Sequence, residues 1–536
     1  MEDVIKKYAL KNSVDYGKAN PKFVMGKILS ENPKLKKDIQ NLLKKVEKVV
    51  NEVNKLSKEQ KEEELKNFHF KEKKVEERKL RELPNAKNVI MRLAPYPSGP
   101  LHLGNAKPYI INDEYVKKYK GKLLLVIDDT IGSKEKNISK DAYKLIPEGL
   151  KWLDIKYSKV YYKSDRLEIY YKYAEDLIKK DKAYVCSCSS EKIKENRYNG
   201  VECSCRDNKD NLKLWKDMFK SKEGSYVLRI KTDMKYKDPA FRDRVLFRIS
   251  ERKHPRVGNK YRVWPLLEFS WAIDDHLLNI THIIRGKELM IESEMEKYIW
   301  DIFGWKHPVL IHTGLLQIKG VKLSKSKSKQ EVESKKYTGW DDPRTFSLQS
   351  LEKRGIQKEA IREFILGFGL NQNEITVPID VLYEENKKII DKRSDRSFVV
   401  FGGKIKIKNA PKMKAKVLKH PDFKKRGYRN FDTSDEFYVQ DKLEKNILYR
   451  FIHLFNFKNK EFVGEEYDKE AKLIHWVPVK DAVKVKVTLV DGKVIEGYGE
   501  KGLKDVKIND VVQFERNFFA CLNKKGKFLE FSFSHT

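Results

Sequence analysis

The chain has 536 residues, which at about 150 residues per domain predicts three or four domains and excludes a single small module. Its composition, 40% apolar and 36% charged, is typical of a globular and well-hydrated protein. Lys and Arg outnumber Asp and Glu by 113 to 79, and the resulting formal charge of +34 makes nucleic acid the first partner to consider.

The sequence predicts a cytoplasmic protein with no membrane partner. No apolar run is longer than the five residues of 123–127, which is far shorter than the ~18–20 residues that a bilayer-spanning helix needs. The first residues lack the basic and then apolar pattern of a signal peptide. Five cysteines are too few for a disulfide scaffold of this size.

Residues 1–83 are rich in Lys and Glu, and their apolar residues recur at three- and four-residue spacing, which predicts helices. Residues 58–64 and 71–81 are almost wholly charged, which is typical of solvated helix faces or a linker. We interpret this region as a helical appendage that could dock another protein.

After Pro84 the pattern changes to alternating strands and helices. Residues 89–94 and 122–127 predict buried strands, and residues 105–119 predict the helix between them, closed by Gly121. Two strands joined by one helix predict a parallel, doubly wound sheet. Alternation resumes at 263–335, and helical patterning follows from 336.

Residues 183–262 interrupt this alternation and contain two Cys-x-Cys pairs, Cys186/Cys188 and Cys203/Cys205. Four thiolates from two such turns can close a tetrahedral Zn²⁺ site, which we predict here. Reduced surface thiols are the alternative. The fifth cysteine, Cys521, is predicted to lie in a core.

Beyond residue 395 the apolar residues alternate with polar ones, as in residues 404–408 and 483–489. Asp491-Gly492 after the second run is typical of a hairpin turn. The last 140 or so residues are therefore predicted to be mainly β-structure.

The turn from Pro97 to Asn105 lies between the first predicted strand and its helix. A helix N terminus offers free N–H groups to phosphate, and Gly104 allows close approach of a nucleotide. His102 and Asn105 can point the same way. A turn of this kind is more often structural when it stands alone.

A second segment, Lys322-Leu323-Ser324-Lys325-Ser326, lies in a Gly/Ser/Lys-rich stretch that begins at Gly320. A flexible lysine there can reach nucleotide phosphates as charge develops. A solvated basic loop explains the same residues.

Together, HLGN at 102–105 and KLSKS at 322–326 resemble the HIGH and KMSKS signatures of class I aminoacyl-tRNA synthetases. The surrounding residues are similar to glutamyl-tRNA synthetases of the archaeal type. The segments that carry this similarity are Arg92-Leu93-Ala94-Pro95, Asp128-Asp129-Thr130, Asp274-Asp275-His276-Leu277, Thr281-His282-Ile283-Ile284-Arg285-Gly286 and Gly339-Trp340-Asp341-Asp342-Pro343-Arg344.

The resemblance implies activation of L-glutamate by ATP with Mg²⁺ and transfer of the glutamyl group to the 3′ end of tRNA. It implies that His102 and Lys325 are catalytic. It also implies three sets of binding residues: His102, Gly104, Asn105, Ser324 and Lys325 for ATP; Arg92, Asp128 and Arg285 for glutamate; Gln513 and Arg516 for the anticodon.

The resemblance further implies a split Rossmann catalytic domain with an acceptor-end insertion, a helical connector and a β-barrel anticodon-binding domain. The predicted division is 1–83 (appendage), 84–182 (first catalytic half), 183–262 (insertion), 263–335 (second catalytic half), 336–394 (connector) and 395–536 (anticodon domain).

Arg285 favours glutamate over glutamine, because an amide would leave a buried guanidinium without a charged partner. Four positions depart from the family pattern: Val126, Ile131, Leu267, where a tyrosine is usual, and Leu315. Two alternatives stay open, a glutaminyl-tRNA synthetase and a non-enzymatic tRNA-binding paralogue. Whether tRNA for glutamine is also charged is not decided by the sequence.

Overall fold

The computed structural model describes residues 2–31, 35, 38–68, 80–133, 137–321 and 325–536. The chain divides into two compact units, Met1–Glu77 and Arg78–Thr536.

The first unit is helical, as its apolar spacing predicts. Its helices are α1 (Glu2–Tyr16), α2 (Pro21–Glu31), α3 (Ile39–Lys55) and α4 (Lys58–Lys66). Along α3, Leu42, Val46, Val49 and Val53 recur every three or four residues and are buried with apolar residues of α1 and α2. The Ser57 side chain caps α4 by accepting a hydrogen bond from a backbone N–H.

The second unit begins with the predicted parallel sheet. Its strands, in spatial order, are β1 (Ile90–Leu93), β2 (Lys122–Ile127) and β3 (Lys159–Tyr162). They are connected by α5 (Leu103–Lys118) and α6 (Ala142–Trp152). β2 is buried after its first residue, as is typical of a parallel strand.

α5 begins two residues before its predicted start, because His102 caps it. A Cβ at Gly121 would collide with the Val89 carbonyl, so only glycine fits this turn.

The predicted insertion supplies three of the four strands of an antiparallel sheet that follows α7 (Leu167–Lys179), and the fourth strand lies just beyond its predicted end. The strands, in spatial order, are β4 (Ala183–Cys186), β5 (Val227–Ile230), β6 (Val245–Ile249) and β7 (Val263–Pro265), with α8 (Ser190–Asn199) and α9 (Asn211–Met218) between the first two.

The chain then returns to the parallel sheet through α10 (Leu267–Leu277), β8 (His282–Gly286), α11 (Met290–Phe303) and β9 (Val309–Thr313). β8 and β9 are parallel. The backbone N–H of Thr281 donates to the Ile90 carbonyl at 2.9 Å, so β8 lies beside β1. The carboxyl ends of β1, β2 and β8 therefore lie at one edge.

The predicted second catalytic half ends with β10 (Leu316–Lys319) and α12 (Lys325–Glu333). The predicted connector is mainly helical and contains α13 (Leu348–Lys353), α14 (Lys358–Leu366), β11 (Ile375–Pro378) and α15 (Asp380–Arg393). β10 and β11 pair in parallel.

The remaining residues are rich in strands, as their alternating pattern predicts. The strands are β12 (Arg396–Ser397), β13 (Val399–Val400), β14 (Gly403–Lys406), β15 (Lys414–Leu418), β16 (Tyr428–Asp432), β17 (Glu436–Val439), β18 (Leu448–Phe451), β19 (Asn456–Lys458), β20 (Glu461–Gly464), β21 (Lys472–Ile474), β22 (Val477–Pro478), β23 (Val483–Thr488), β24 (Val494–Gly499), β25 (Val511–Phe514), β26 (Phe518–Lys525) and β27 (Leu529–His535).

A seven-stranded sheet in the order β12-β25-β26-β27-β23-β24-β13 is the largest among the described residues. Within it, β23 and β24 form the antiparallel hairpin that Asp491-Gly492 predicts, and Gly492 has a φ of 85°. Cys521 is buried in β26, as predicted. In the part of the chain that the structure describes, no helix has the length and apolar character needed to cross a membrane.

Candidate active site and metal centre

A cavity of about 660 Å³ lies where the carboxyl ends of β1, β2 and β8 meet. Its wall includes Arg92, Asn105, Asp128, Trp271 and Arg285. Ligands of doubly wound sheets bind at this edge, so the position alone makes the cavity a candidate active site. A larger cavity of about 900 Å³ lies in the C-terminal region, and none of the described site residues lines it.

The first motif forms the N terminus of α5. Nδ1 of His102 accepts a hydrogen bond from the Gly104 N–H at 3.1 Å, and Oδ1 of Asn105 accepts one from the His102 N–H at 3.3 Å. Because Nδ1 accepts, the neutral ring carries its proton on Nε2, which is a donor. The three residues of this motif that are predicted to bind ATP thus lie together at a helix terminus suited to phosphate.

Arg92 is held at the cavity wall by a bidentate ion pair. Its Nε and Nη2 donate to the two carboxylate oxygens of Asp275 at 2.5 and 2.8 Å, and both side chains are buried. Burial lowers the pKa of Arg92, but Asp275, together with the carboxylates of Glu296 and Asp274, more than offsets this and raises the pKa above its ordinary value. Arg92 therefore stays positively charged beside the cavity.

Arg285 is held in the same way by Glu296 of α11. Nη1 and Nη2 donate to its carboxylate oxygens at 2.8 and 2.6 Å. Burial raises the pKa of Glu296, and Arg285 opposes that shift. Among the described residues, the buried Nε of Arg285 has no hydrogen-bond partner. An unsatisfied donor on an arginine that lines a cavity suits an anionic ligand.

Asp128 follows β2 directly, and it is paired with a cation that the sequence did not indicate. Nζ of Lys163 lies 3.2 Å from Oδ1 of Asp128 and donates to Oγ of Ser270 at 2.7 Å. Lys163 is fully buried, and burial lowers its pKa although Asp128 opposes the shift. The carboxylate of Asp128 remains in the cavity wall, where it can accept hydrogen bonds from an ammonium group.

The last two residues of the second motif, Lys325 and Ser326, belong to α12. Ser324 lies outside the described residues, and Lys325 is the first residue of the helix. Lys329, Gln330 and Glu333 of α12 line the cavity, so this helix borders the same space as the first motif.

The four departures from the family pattern occupy different environments. Val126 and Ile131 are buried, and Ile131 packs in an apolar core. Leu267 lines the cavity, whereas Leu315 is partly exposed just before β10. Of the four, only Leu267 is part of the described cavity wall.

Four residues of this site were not predicted: Lys163, Trp271, Asp275 and Glu296. Lys163 directly follows β3 just as Asp128 follows β2, so its place at the carboxyl end of a strand was a usable signal. Asp275 and Glu296 pair with arginines from other elements, which no local pattern reveals.

The four predicted metal ligands, Cys186, Cys188, Cys203 and Cys205, form one cluster. Their sulfur atoms all lie within 4.8 Å of one another, and neighbouring sulfurs are 3.6–3.9 Å apart. A tetrahedron with Zn–S bonds of about 2.3 Å has edges of about 3.8 Å, so the cluster fits zinc. Burial raises the pKa of Cys186 and raises that of Cys188 to about 11, so a cation is needed to hold these groups as thiolates.

The two predicted anticodon residues lie at one end of β25. The backbone N–H of Gln513 donates to the Asp395 carbonyl at 3.1 Å, and its side chain is half-buried. Arg516 lies in the turn to β26 with a φ of 60° and an exposed side chain, and its Nη1 donates to the Leu473 carbonyl at 3.2 Å. Both side chains are accessible enough to contact RNA.

Two regions of the chain match domains of the same enzyme family. Residues 88–392 match the family model of the catalytic domain of class I tRNA synthetases (E and Q), and residues 473–523 match the anticodon-binding domain of the same enzymes. The chain belongs to this family. The sequence-based family assignment is therefore confirmed.

Curated relatives match over nearly their whole length. Glutamate–tRNA ligase from Methanocaldococcus jannaschii is 43% identical over 98% of both chains. The glutamate–tRNA ligase from Pyrococcus furiosus is 42% identical over 98% of this chain and 97% of the relative. The one from Methanobrevibacter smithii is 39% identical over 100% of this chain and 99% of the relative. The solved glutamate–tRNA synthetase from Elizabethkingia anophelis is 21% identical over 57% of this chain and 71% of that one, with a TM-score of 0.42.

Proposed function

We propose that the cavity at the carboxyl ends of β1, β2 and β8 binds the glutamate and ATP that a glutamate–tRNA ligase uses. The observation that carries the proposal is the convergence of Arg92, Asp128 and Arg285 from three separate motifs on one cavity that also contains Asn105. The ligase activity that the sequence predicts is confirmed by the full-length relatives of that name.

The reaction needs little covalent chemistry from the protein. A carboxylate oxygen of glutamate attacks the α-phosphate in line, forms the new O–P bond and expels pyrophosphate, so catalysis depends on positioning and charge neutralisation. Arg92 and Arg285 hold the two carboxylates, and Asp128 accepts hydrogen bonds from the α-ammonium. His102 donates through Nε2 to a phosphate oxygen at the N terminus of α5. Magnesium that enters with ATP neutralises phosphate charge when bound.

The direct test is ATP–pyrophosphate exchange with tRNA present. Exchange should depend on glutamate and should be far weaker with glutamine at the same concentration. Equal exchange with glutamine would favour a glutaminyl-tRNA synthetase. No exchange with either amino acid would favour a non-enzymatic tRNA-binding paralogue.

We further propose the six-part division at residues 83, 182, 262, 335 and 394, with a closed barrel in the last part. The match to an anticodon-binding domain and the charge of +34 support tRNA as the partner of the C-terminal region. We also propose a cytoplasmic location, where tRNA is charged, and a protein partner for the N-terminal helices on the basis of their charge alone.

Arg516→Ala is expected to weaken charging chiefly for tRNA with the cognate anticodon. An exposed guanidinium can read a splayed base edge, and loss of one such contact costs ~1–3 kcal/mol. Charging kinetics on cognate tRNA and on tRNA with a substituted central anticodon base measure the effect. An equal loss on both tRNAs would mean that Arg516 contacts phosphate or is structural.

We propose that Cys186, Cys188, Cys203 and Cys205 bind one structural Zn²⁺. Purified protein is expected to contain about one zinc per chain, and Cys203→Ser should lose it, because three thiolates hold the ion less well than four. Metal analysis of both proteins measures this, and Cys521→Ser is the matched control that should retain zinc. Native protein with substoichiometric zinc would contradict the proposal.

A further inference from the structure

The indole ring of Trp271 is a common contact for three buried cations. The Cζ atoms of Arg92 and Arg285 lie 4.7 and 5.2 Å from its centroid, and Nζ of Lys163 lies 5.0 Å from it. Trp271 is 5% exposed and belongs to the cavity wall. Cations are attracted to the negative face of an indole, most strongly where water is excluded.

The ring thus contacts every group that is proposed to bind glutamate, either directly or through one neighbour. Arg92 and Arg285 touch it themselves. Lys163 connects it to Asp128 and also donates to Ser270, the residue that precedes Trp271.

The ion pairs alone do not fix the two arginines. A guanidinium in a bidentate pair can still pivot about its carboxylate, and the second contact with a rigid ring removes that freedom. Asp275 and Glu296 hold one edge of Arg92 and Arg285, respectively, and the Cζ atom of each arginine also lies over the Trp271 ring. The three cations lie within 5.2 Å of the ring centroid, so their contact is with the π-face of the indole.

The sequence of α10 is consistent with a role of Trp271 in holding the two arginines. Leu267, which replaces the tyrosine usual in the family, lies four residues before Trp271, and both line the cavity. Residues four apart share a helix face, so Leu267 and Trp271 lie on the same face of α10. Because position 267 is a leucine, Trp271 is the only aromatic residue that this face of α10 adds to the described cavity wall.

We propose that Trp271 is a positioning residue for glutamate: its ring sets the distance between the guanidinium groups of Arg92 and Arg285 and so selects a dicarboxylic amino acid of glutamate's length. This inference rests on the proposed assignment of the two arginines to glutamate.

The test compares Trp271→Leu, which removes the π-face, with Trp271→Phe, which keeps one. In glutamate-dependent pyrophosphate exchange, Trp271→Leu should raise the Michaelis constant for glutamate roughly tenfold or more and leave that for ATP nearly unchanged. Trp271→Phe should restore most of the affinity. The ratio of the aspartate inhibition constant to the glutamate Michaelis constant should fall in Trp271→Leu.

Trp300→Leu is the matched control, because Trp300 is buried and donates to the Ala272 carbonyl of α10 but does not line the cavity. It should lower thermal stability without changing the Michaelis constant for glutamate. If Trp271→Leu does not fold, Trp271→Met replaces it in the same comparison.

Equal Michaelis constants for glutamate in the Trp271→Leu and Trp300→Leu proteins would overturn the proposal. Equal impairment by Trp271→Phe and Trp271→Leu would also overturn it, because the π-face would then not be what matters. Arg285→Gln in the same assay distinguishes failure of the Trp271 proposal from failure of the proposed glutamate site. An unchanged Michaelis constant for glutamate in Arg285→Gln would mean that the glutamate site itself is misassigned.

Discussion

Arg285→Gln is expected to raise the Michaelis constant for glutamate by roughly 30-fold or more and to leave that for ATP nearly unchanged. The guanidinium is buried in the cavity wall, and its Nε has no hydrogen-bond partner among the described residues. Its loss therefore leaves a substrate carboxylate without a charged partner. Truncating one member of a buried charge pair costs about 2–5 kcal/mol. Glutamate-dependent pyrophosphate exchange over a range of glutamate concentrations measures the change.

The same substitution also affects folding, so it needs a control. Arg285→Gln leaves Glu296 buried without its cation, which should lower the free energy of unfolding by about 3–5 kcal/mol. The double variant Arg285→Gln with Glu296→Gln removes the unpaired charge and should recover much of that stability without recovering glutamate affinity. If affinity returned with stability, Arg285 would be a structural residue.

The sequence predicts the framework of the site because that framework is local. β1 is apolar except for Arg92, and β2 is apolar after its first residue. The turn after β1 carries its own helix cap, so strand, turn and helix can be identified from neighbouring residues. The Cys-x-Cys pairs are similarly informative, because their spacing confines two sulfurs to one turn.

The charge pairing within the site cannot be predicted in this way. Arg92 and Asp275 are 183 residues apart, and only the return of the chain through α10 brings them together. The helical pattern of the sequence around Trp271 is as consistent with a residue of the apolar core as with a residue of the site. Its contacts with three cations become visible only in the packed structure.

The strand pairing in the seven-stranded sheet likewise joins residues that are far apart in the sequence. β12 pairs with β25 and β13 with β24, about 100 residues further along the chain. Alternation identifies such strands, but it does not specify their partners.

The largest effect on the chemical step is expected at Lys325. This residue begins α12 four positions before Lys329, which lines the cavity, and positions four apart share a helix face. Position 325 therefore lies on the side of α12 that borders the proposed glutamate and ATP site. A cation there can stabilise the charge that develops as pyrophosphate departs, an interaction that is made in the transition state and not with bound glutamate.

Lys325→Ala should therefore lower the rate of adenylate formation by roughly 10²-fold or more, with little change in the Michaelis constant for glutamate. Single-turnover formation of adenylate measures this rate directly. Lys319→Ala is the matched control, because Lys319 is an exposed lysine on β10 outside the cavity and its loss should have little effect. Equal rates in the two variants would remove Lys325 from the mechanism, whereas a loss of glutamate affinity without a loss of rate would place it in substrate binding.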